Sequence, residues 1–291
     1  MSLKVLHLWN MSAGRCGIKN FGQMFSTAMR RAGCEVTDWD IEYSALYARI
    51  QKGEPSYMPD NLDQYDVVHF NWHPITNNHY GTGHFDHIRG VKSVYLHDIP
   101  PHSGCPCLPA FSVRMTSEPS EVSTLEVPYP ICDWVDPKTL PPPNTEFTVG
   151  ISGVRRDGFD AVVEVVERNG WILNASEPDA WIAQEDEIRR LAKSSVNVCW
   201  YHEGRGLSGT PAMMLGARRP LIINDSPMLR HLHRKIGVQY GSTDLSVALR
   251  ICHIQWKNGQ WDQQPLQGID SSLSWSTYAP KVLAAWEAAH G

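Results

Sequence analysis

The chain has 291 residues, 42% hydrophobic and 20% charged, with a formal net charge of -5 at pH 7. That length accommodates two domains of ordinary size, and the charge excludes any general attraction to nucleic acid or anionic lipid, so partners have to be argued from sites. Seven cysteines, an odd number, fit free thiols in a reducing compartment better than a disulfide framework. No stretch reaches the length of a spanning helix, and the N-terminus enters a strand with no charged-then-apolar leader, so the expected location is cytoplasmic.

Strands alternate with helices along the first half. Lys4 to Trp9 reads as a short apolar strand, and Ile18, Phe21, Phe25, Ala28, Met29 and Ala32 keep helical spacing until Gly33. Glu35 to Trp39 is a second strand, and a helix is expected around Ser44 to Gln51. Two buried strands follow, Asp66 to Phe70 and Lys92 to Leu96. The first delivers Asn71 and His73 at its C-terminal end, the second His97 and Asp98. This is an α/β pattern with a parallel sheet.

Between Val127 and Glu146 six prolines and little periodicity mark a connection between domains. The expected division is 1–130 for the first domain, 131–270 for the second and 271–291 for a terminal helix. After the connection the pattern restarts with Phe147 to Ile151 as a strand and Phe159 to Arg168 as a helix. Then come Trp171 to Asn174 as a strand, Glu185 to Lys193 as a helix, and strands at Val196 to Tyr201 and Pro220 to Ile223. Near the end, Trp275, Tyr278, Val282, Leu283 and Trp286 form one helical stripe.

The most informative stretch is HEGRGLSGTPAMMLGARRPLIIND, from His202 to Asp225. Glu203 leads a turn with Gly204, Gly206 and Gly209, and Pro211 sits near a helix start where its missing N–H costs nothing. The amides of such a turn point at an anion as readily as at water. Arg155 and Arg156 follow a strand and a glycine turn, where a guanidinium suits a diphosphate or simply solvent. Lys19 lies in the first turn of a helix opened by Gly17, where a cation opposes the helix dipole unless an anion is near.

This stretch resembles the nucleotide-sugar signature of GT-B glycosyltransferases of the large retaining family 4, E-G-x-G-L, three residues, a second glutamate, then A-M-x-x-G. Glu203, Gly204, Gly206, Leu207, Ala212, Met213 and Gly216 fall on it, and Pro211 stands where the second glutamate would be. CGIKNFGQMFSTAMRRAGCEV is similar to the family's G-G-I opening, with Gly17 and Ile18 on matching positions. DVVHFNWHP and SVYLHDIPP are similar to its D-V-V-H-x-H and V-x-T-x-H-D strands, which places His97 and Asp98 on a site histidine and its neighbour. TVGISGVRRDGFDAVVEVV resembles the G-R-x-x-x-x-K-G segment, with Asp157 in place of the lysine and the basic pair assigned to Arg155 and Arg156. SLSWSTYAPKVLAAW is like the S-W-x-x-x-A helix that returns to the first domain.

The resemblance implies two Rossmann-like domains facing across a cleft and transfer of a sugar, with retention, from a UDP-, GDP- or ADP-sugar to an acceptor hydroxyl. No further cofactor is implied. Arg155, Arg156, Glu203 and His97 are the expected catalytic residues, and Gly17, Lys19, Gly206, Leu207, Ser208, Gly209 and Thr210 the expected donor contacts, with Ser208 or Thr210 standing in for the absent glutamate. The cationic and N–H groups cover the diphosphate, so no metal is expected. Asp38-Trp39-Asp40 spells D-x-D but ends a strand, and His102 with Cys105 and Cys107 lacks a fourth ligand. His69, His73, His79, His84 and His87 form a loose cluster that lines an acceptor cleft or lies exposed. The acceptor stays open between a glycan, a small molecule and a hydroxymethylated DNA base; a GT-B-like binding protein without turnover is the other alternative.

Overall fold

The computed structural model describes residues 2–11, 17–41, 59, 61–73, 83, 85–97, 107–152, 157–176, 182–201, 209–226, 229, 238–240, 244–260 and 273–290. It divides into two compact units. Unit 1 is Met1–Tyr129 with Trp275–Gly291, and unit 2 is Pro130–Ser274. The helix expected around Ser44 to Gln51 lies outside the described residues.

Unit 1 holds β1 (Lys4–Trp9), α1 (Gly17–Arg31), β2 (Glu35–Asp40), β3 (Val67–Trp72), β4 (Val91–Leu96), β5 (Val113–Thr116) and β6 (Leu125–Glu126). The strands form one parallel sheet in the order β2-β1-β3-β4-β5-β6. Phe21, Met24, Phe25, Ala28 and Met29 are the buried stripe of α1. Gly33, at φ 96°, ends that helix in a conformation that a Cβ would penalise, and its N–H closes on the Arg30 carbonyl. β3 runs past Phe70, because Asn71 and Trp72 find partners in Tyr95 and Leu96 of β4. Asn71 is therefore a strand residue and not the first residue beyond the strand.

A row of polar side chains crosses this sheet in register: Asp38 opposite His7, His7 opposite His69, His69 opposite Ser93. The His7 Nδ1–H donates to Ser26 Oγ at 2.7 Å, and that hydroxyl donates to Asp38 Oδ1 at 2.5 Å. Ser93 Oγ meets His69 Nδ1 at 3.0 Å and accepts from Trp286 Nε1 at 2.9 Å. The tryptophan comes from the C-terminal helix, Trp275–His290, whose Trp275, Ala279, Val282 and Trp286 are buried. His69, grouped by sequence with histidines of a cleft or surface, is instead wholly buried and stacked on Phe25 with ring centroids 4.1 Å apart. The inward face of β3 places it there; of the same group, His87 is exposed, and His79 and His84 lie outside the described residues.

Burial holds His7, His69 and His97 below their ordinary value of 6.5, with neighbouring histidines adding to the effect for His69 and His97. A histidine whose folded pKa is depressed takes up a proton on unfolding once the pH falls below the unfolded value. Stability is therefore intact above that value and is lost as the pH drops beneath it. Each strongly shifted histidine contributes up to about tenfold per pH unit in the folding equilibrium. Asp38 acts lower. Burial raises its carboxyl, but hydrogen bonds with His7, Ser26 and Arg30 outweigh that and hold it well below the usual carboxylate range, so its share disappears only below about pH 4. The urea midpoint of unit 1 is thus expected to fall steeply between pH 6.5 and 5. A flat profile there would mean that the histidines charge inside the fold.

Unit 2 holds β7 (Thr148–Ile151), α2 (Asp157–Arg168), β8 (Ile172–Ala175), α3 (Gln184–Ala192), β9 (Val196–Cys199), α4 (Thr210–Gly216), β10 (Leu221–Ile223), β11 (Val238–Tyr240) and α5 (Leu245–Lys257). Its strands also form one parallel sheet, in the order β11-β10-β9-β7-β8. The chain runs from β7 outward to β8, then crosses back to β9 on the other side of β7. This places a topological switch point between β7 and β9. The proline-rich stretch expected to be a connection is packed from Pro130 onward against unit 2. Arg189 donates to the Thr139 carbonyl at 2.8 Å, Arg219 to the Pro141 carbonyl at 3.2 Å, and Asn144 N to the Lys193 carbonyl at 2.8 Å.

Candidate functional site

The switch point of unit 2 carries a small open pocket. The exit of β7 (Ile151, Ser152), the first turn of α2 (Gly158, Phe159) and the exit of β9 (Trp200, Tyr201) line it. Ligands of open α/β sheets bind at this place because the strand ends diverge there and leave a crevice between helices on opposite faces. Gly158 makes the crevice narrow. A Cβ on it would lie 1.8 Å from the Trp200 carbonyl oxygen, so only glycine lets α2 start directly on the strand exit.

Both walls are held from behind. Asn224, following β10, donates to the Tyr201 carbonyl at 2.6 Å and accepts from the Tyr201 N–H at 3.2 Å, which clamps the backbone where the chain leaves β9. On the other side, Arg190 of α3 donates to the carbonyl of Ile151, the last residue of β7, at 2.8 Å. The clamped backbones lead into residues 153–156 and 202–208, the segments that carry Arg155 and Arg156 and Glu203, Gly206, Leu207 and Ser208. Those six residues lie outside the described ones; the structure describes the points from which their segments depart, and both points are on the pocket's rim. Gly209 precedes α4, Thr210 and Pro211 form its first turn, and all seven residues of α4 are buried.

In unit 1 the switch point lies between β1 and β3. His97 follows β4, is 4% exposed, and has both ring nitrogens occupied. Its Nε2–H donates to Asn71 Oδ1, and its Nδ1 accepts from the Tyr129 hydroxyl at 2.9 Å. The Asn71 amide donates onward to the Ile18 carbonyl at 3.1 Å, in the first turn of α1. Phe21 packs edge-on against the imidazole with centroids 5.0 Å apart. Burial, with the neighbouring His73 and His7, holds its pKa well below the ordinary histidine value. His97 is thus tied to the helix that Gly17 opens, and Lys19 is half-buried in the same turn. Asn71, which the sequence places at the C-terminal end of its strand without assigning it a role, and Tyr129, which it does not single out, complete this set.

The D-x-D carboxylates are both committed to protein donors. Asp38 accepts from Trp9 Nε1 at 2.8 Å and pairs with Arg30, and Asp40 accepts from the Met11 N–H at 2.7 Å. Cys107 is wholly buried, while His102 and Cys105 lie outside the described residues. Among the described residues no three His, Cys, Asp or Glu side chains gather as a metal site, and no helix is long and apolar enough to cross a membrane.

No family model matches the sequence, and no curated protein matches it either. Solved structures do. The chain is similar to an alpha-glucosyltransferase in complex with UDP and a 13-mer DNA containing a central A:G mismatch, with TM-score 0.63 and 13% identity over 97% of this chain and 99% of that one. It is similar to Anabaena HepE in complex with UDP and glucose, with TM-score 0.61 and 12% identity over 98% and 100%. A glycosyltransferase from Rickettsia africae gives TM-score 0.65 and 10% identity over 99% and 98%. At such identities the likeness speaks for the fold: this mixed α/β chain with its parallel sheets shares the fold of these GT-B glycosyltransferases.

Proposed function

We propose that this chain transfers a glycosyl group from a nucleotide-sugar donor to an acceptor hydroxyl, with the donor nucleotide held in the switch-point pocket of unit 2. The observation that supports the reading is that Ser152 and Tyr201, the described residues immediately before the segments bearing the basic pair and the Glu203 turn, line one pocket. As the glycosidic bond breaks, negative charge builds on the leaving diphosphate, so catalysis requires cations and N–H groups that tighten in the transition state. Arg155, Arg156 and the amides from Gly206 to Thr210 supply them, with Leu207 and Ser208 in the same turn and Glu203 facing donor hydroxyls. His97 serves as a positioning residue, since both its nitrogens are spent on Asn71 and Tyr129 and its influence passes through Asn71 to the start of α1 at Gly17 and Lys19. Retention at the anomeric carbon follows the family resemblance. UDP is the first nucleotide to test, because two of the similar structures described above hold it.

A thermal-shift screen of UDP-, GDP- and ADP-sugars tests the donor, since a bound donor stabilises by mass action before any acceptor is known. Slow hydrolysis of the best one then tests turnover. Stabilisation with no turnover on any acceptor would favour a binding protein that has lost catalysis, and no stabilisation by any donor would defeat the proposal. Glu203→Ala is expected to cut transfer by about 10²-fold or more with an unchanged Tm, because a carboxylate on a loop contributes little to a core. Turnover within a few-fold of wild type would return the motif to a structural turn. Activity is also expected to persist in excess EDTA, and rescue by magnesium or manganese after chelation would reopen the question of an ion on the diphosphate.

A second reading of the acceptor, a hydroxymethylated base in DNA, is prompted by the similar alpha-glucosyltransferase structures in complex with UDP and DNA containing an HMU base. Transfer to hydroxymethylated DNA but not to glycans would establish it. The charge of -5 requires that such contact be local and not a property of the whole surface.

A further inference from the structure

Ser152 is a polar side chain on the pocket wall whose hydrogen-bonding sense is dictated by the fold. Its Oγ–H donates to Glu187 Oε1. Glu187, on α3, is 4% exposed and is gripped from one turn along the same helix by Arg190, Nε to Oε2 at 2.7 Å and Nη2 to Oε1 at 2.6 Å. The guanidinium's remaining N–H groups go to the Ile151 carbonyl at 2.8 Å and to the carbonyl and Oδ1 of Asn174, each at 2.7 Å. All five of its donors are then used. Asn174 Nδ2 returns two bonds, to the Arg190 carbonyl and Ser194 Oγ, both at 2.8 Å.

Such a buried pair adds little net stability over apolar side chains of the same volume, because desolvating two charges offsets their attraction. What it does provide is direction. A free serine hydroxyl rotates and either donates or accepts, whereas one whose proton is committed to a carboxylate offers only lone pairs to whatever enters the pocket.

We propose that Ser152 Oγ, held by the Glu187–Arg190 pair, is a specificity-determining acceptor that receives an O–H or N–H of the donor's nucleoside, with Glu187 as its positioning residue. The proposal rests on the reading of this pocket as the nucleotide-sugar site. The chemistry sorts the ligand's parts. Phosphate oxygens carry no proton to give and are repelled by an acceptor backed by a carboxylate, whereas ribose hydroxyls and base N–H groups are donors. Hydroxyls of the donor sugar are donors as well but are assigned to Glu203, so Ser152 is given to the nucleoside, and the diphosphate lies elsewhere.

Calorimetric titration of wild type, Ser152→Ala, Ser152→Thr and Glu187→Gln tests this, using whichever of UDP, GDP and ADP binds tightest, its nucleoside, and inorganic pyrophosphate. Ser152→Ala is expected to weaken the nucleotide and the nucleoside by the same factor, about tenfold, while pyrophosphate binding stays unchanged. Ser152→Thr keeps the hydroxyl and is expected to bind within a few-fold of wild type. Glu187→Gln is expected to weaken the nucleotide in the wild-type background and to cost nothing further alongside Ser152→Ala. Should Glu187→Gln fail to fold, the two Ser152 variants decide alone. Unchanged nucleotide affinity in Ser152→Ala, or a loss shared by pyrophosphate, overturns the inference while leaving the proposed function in place. If the wild type binds none of the three nucleotides, the function fails first and the inference with it.

Discussion

Gly158→Ala is expected to lower the Tm of this protein by roughly 10 °C, and to abolish nucleotide binding where the variant still folds. The added Cβ would sit 1.8 Å from the Trp200 carbonyl oxygen and 2.5 Å from its carbonyl carbon, both backbone atoms that cannot rotate away. Relief requires α2 to back off the exit of β9 by more than 1 Å, which costs about 3 kcal/mol in a packed interior and splays the walls of the pocket. Gly83→Ala is the matched control, since among the described residues nothing lies within 4 Å of a Cβ there and its φ is not in the left-handed region. Differential scanning calorimetry of the two variants reads the effect. Equal Tm values for Gly158→Ala and wild type would mean that the helix start has slack and that the pocket does not depend on this contact.

Replacing Arg155 and Arg156 together by alanine is expected to weaken a nucleoside diphosphate by about 10² to 10⁴-fold and its nucleoside by less than threefold. Each guanidinium is assigned to the diphosphate, and charge-assisted hydrogen bonds to an anion contribute about 1.5 to 3 kcal/mol apiece. The selectivity of the loss matters more than its size. It is the mirror image of the pattern expected for Ser152→Ala, which spares pyrophosphate and weakens the nucleoside. Equal losses for nucleotide and nucleoside would show that the two arginines act through folding or lie away from the diphosphate. Isothermal titration on the four variants of the cycle would also show whether one arginine or both carry the effect.

How the fold was legible in the chain is clearest in unit 1. The strand from Lys4 to Trp9 and the helix ending at Gly33 follow from an apolar run and a 3.6-residue stripe, signals that are local and need no knowledge of the rest. α5 was not legible. Its Val247, Ile251 and Ile254 are 45%, 50% and 58% exposed while Leu245, Leu249 and Cys252 are buried, so apolar residues circle the helix and no stripe stands out. Its start signal, the Asp244 side chain accepting from the Ser246 and Val247 N–H groups, was present in the sequence but without the pattern that would give it weight. β5 and β6, at four and two residues, are too short for alternation to register, and they exist because β4 offers an edge to β5 and β5 in turn to β6.

The sequence by itself determined that this is an α/β chain built in two halves, because residue types, turn glycines and strand–helix order are written locally, and it is the source of the proposal that the stretch around Glu203 and the pair at Arg155 handle phosphate. Only the tertiary structure decided which residues meet. His97 reads the same on paper whether it faces a sugar or the core; the sheet puts it beside Asn71 and Tyr129 and spends both of its nitrogens there. Asp38-Trp39-Asp40 reads from the sequence as a D-x-D that merely ends a strand, and only the structure shows which groups its carboxylates meet, Trp9 and Arg30 for Asp38 and the Met11 N–H for Asp40. Ser152, Glu187 and Arg190 carry no motif at all, since they are brought together by the crossover from β8 back to β9, and the physical reason is general: hydrogen-bond partners 35 residues apart are selected by topology, which no local pattern encodes.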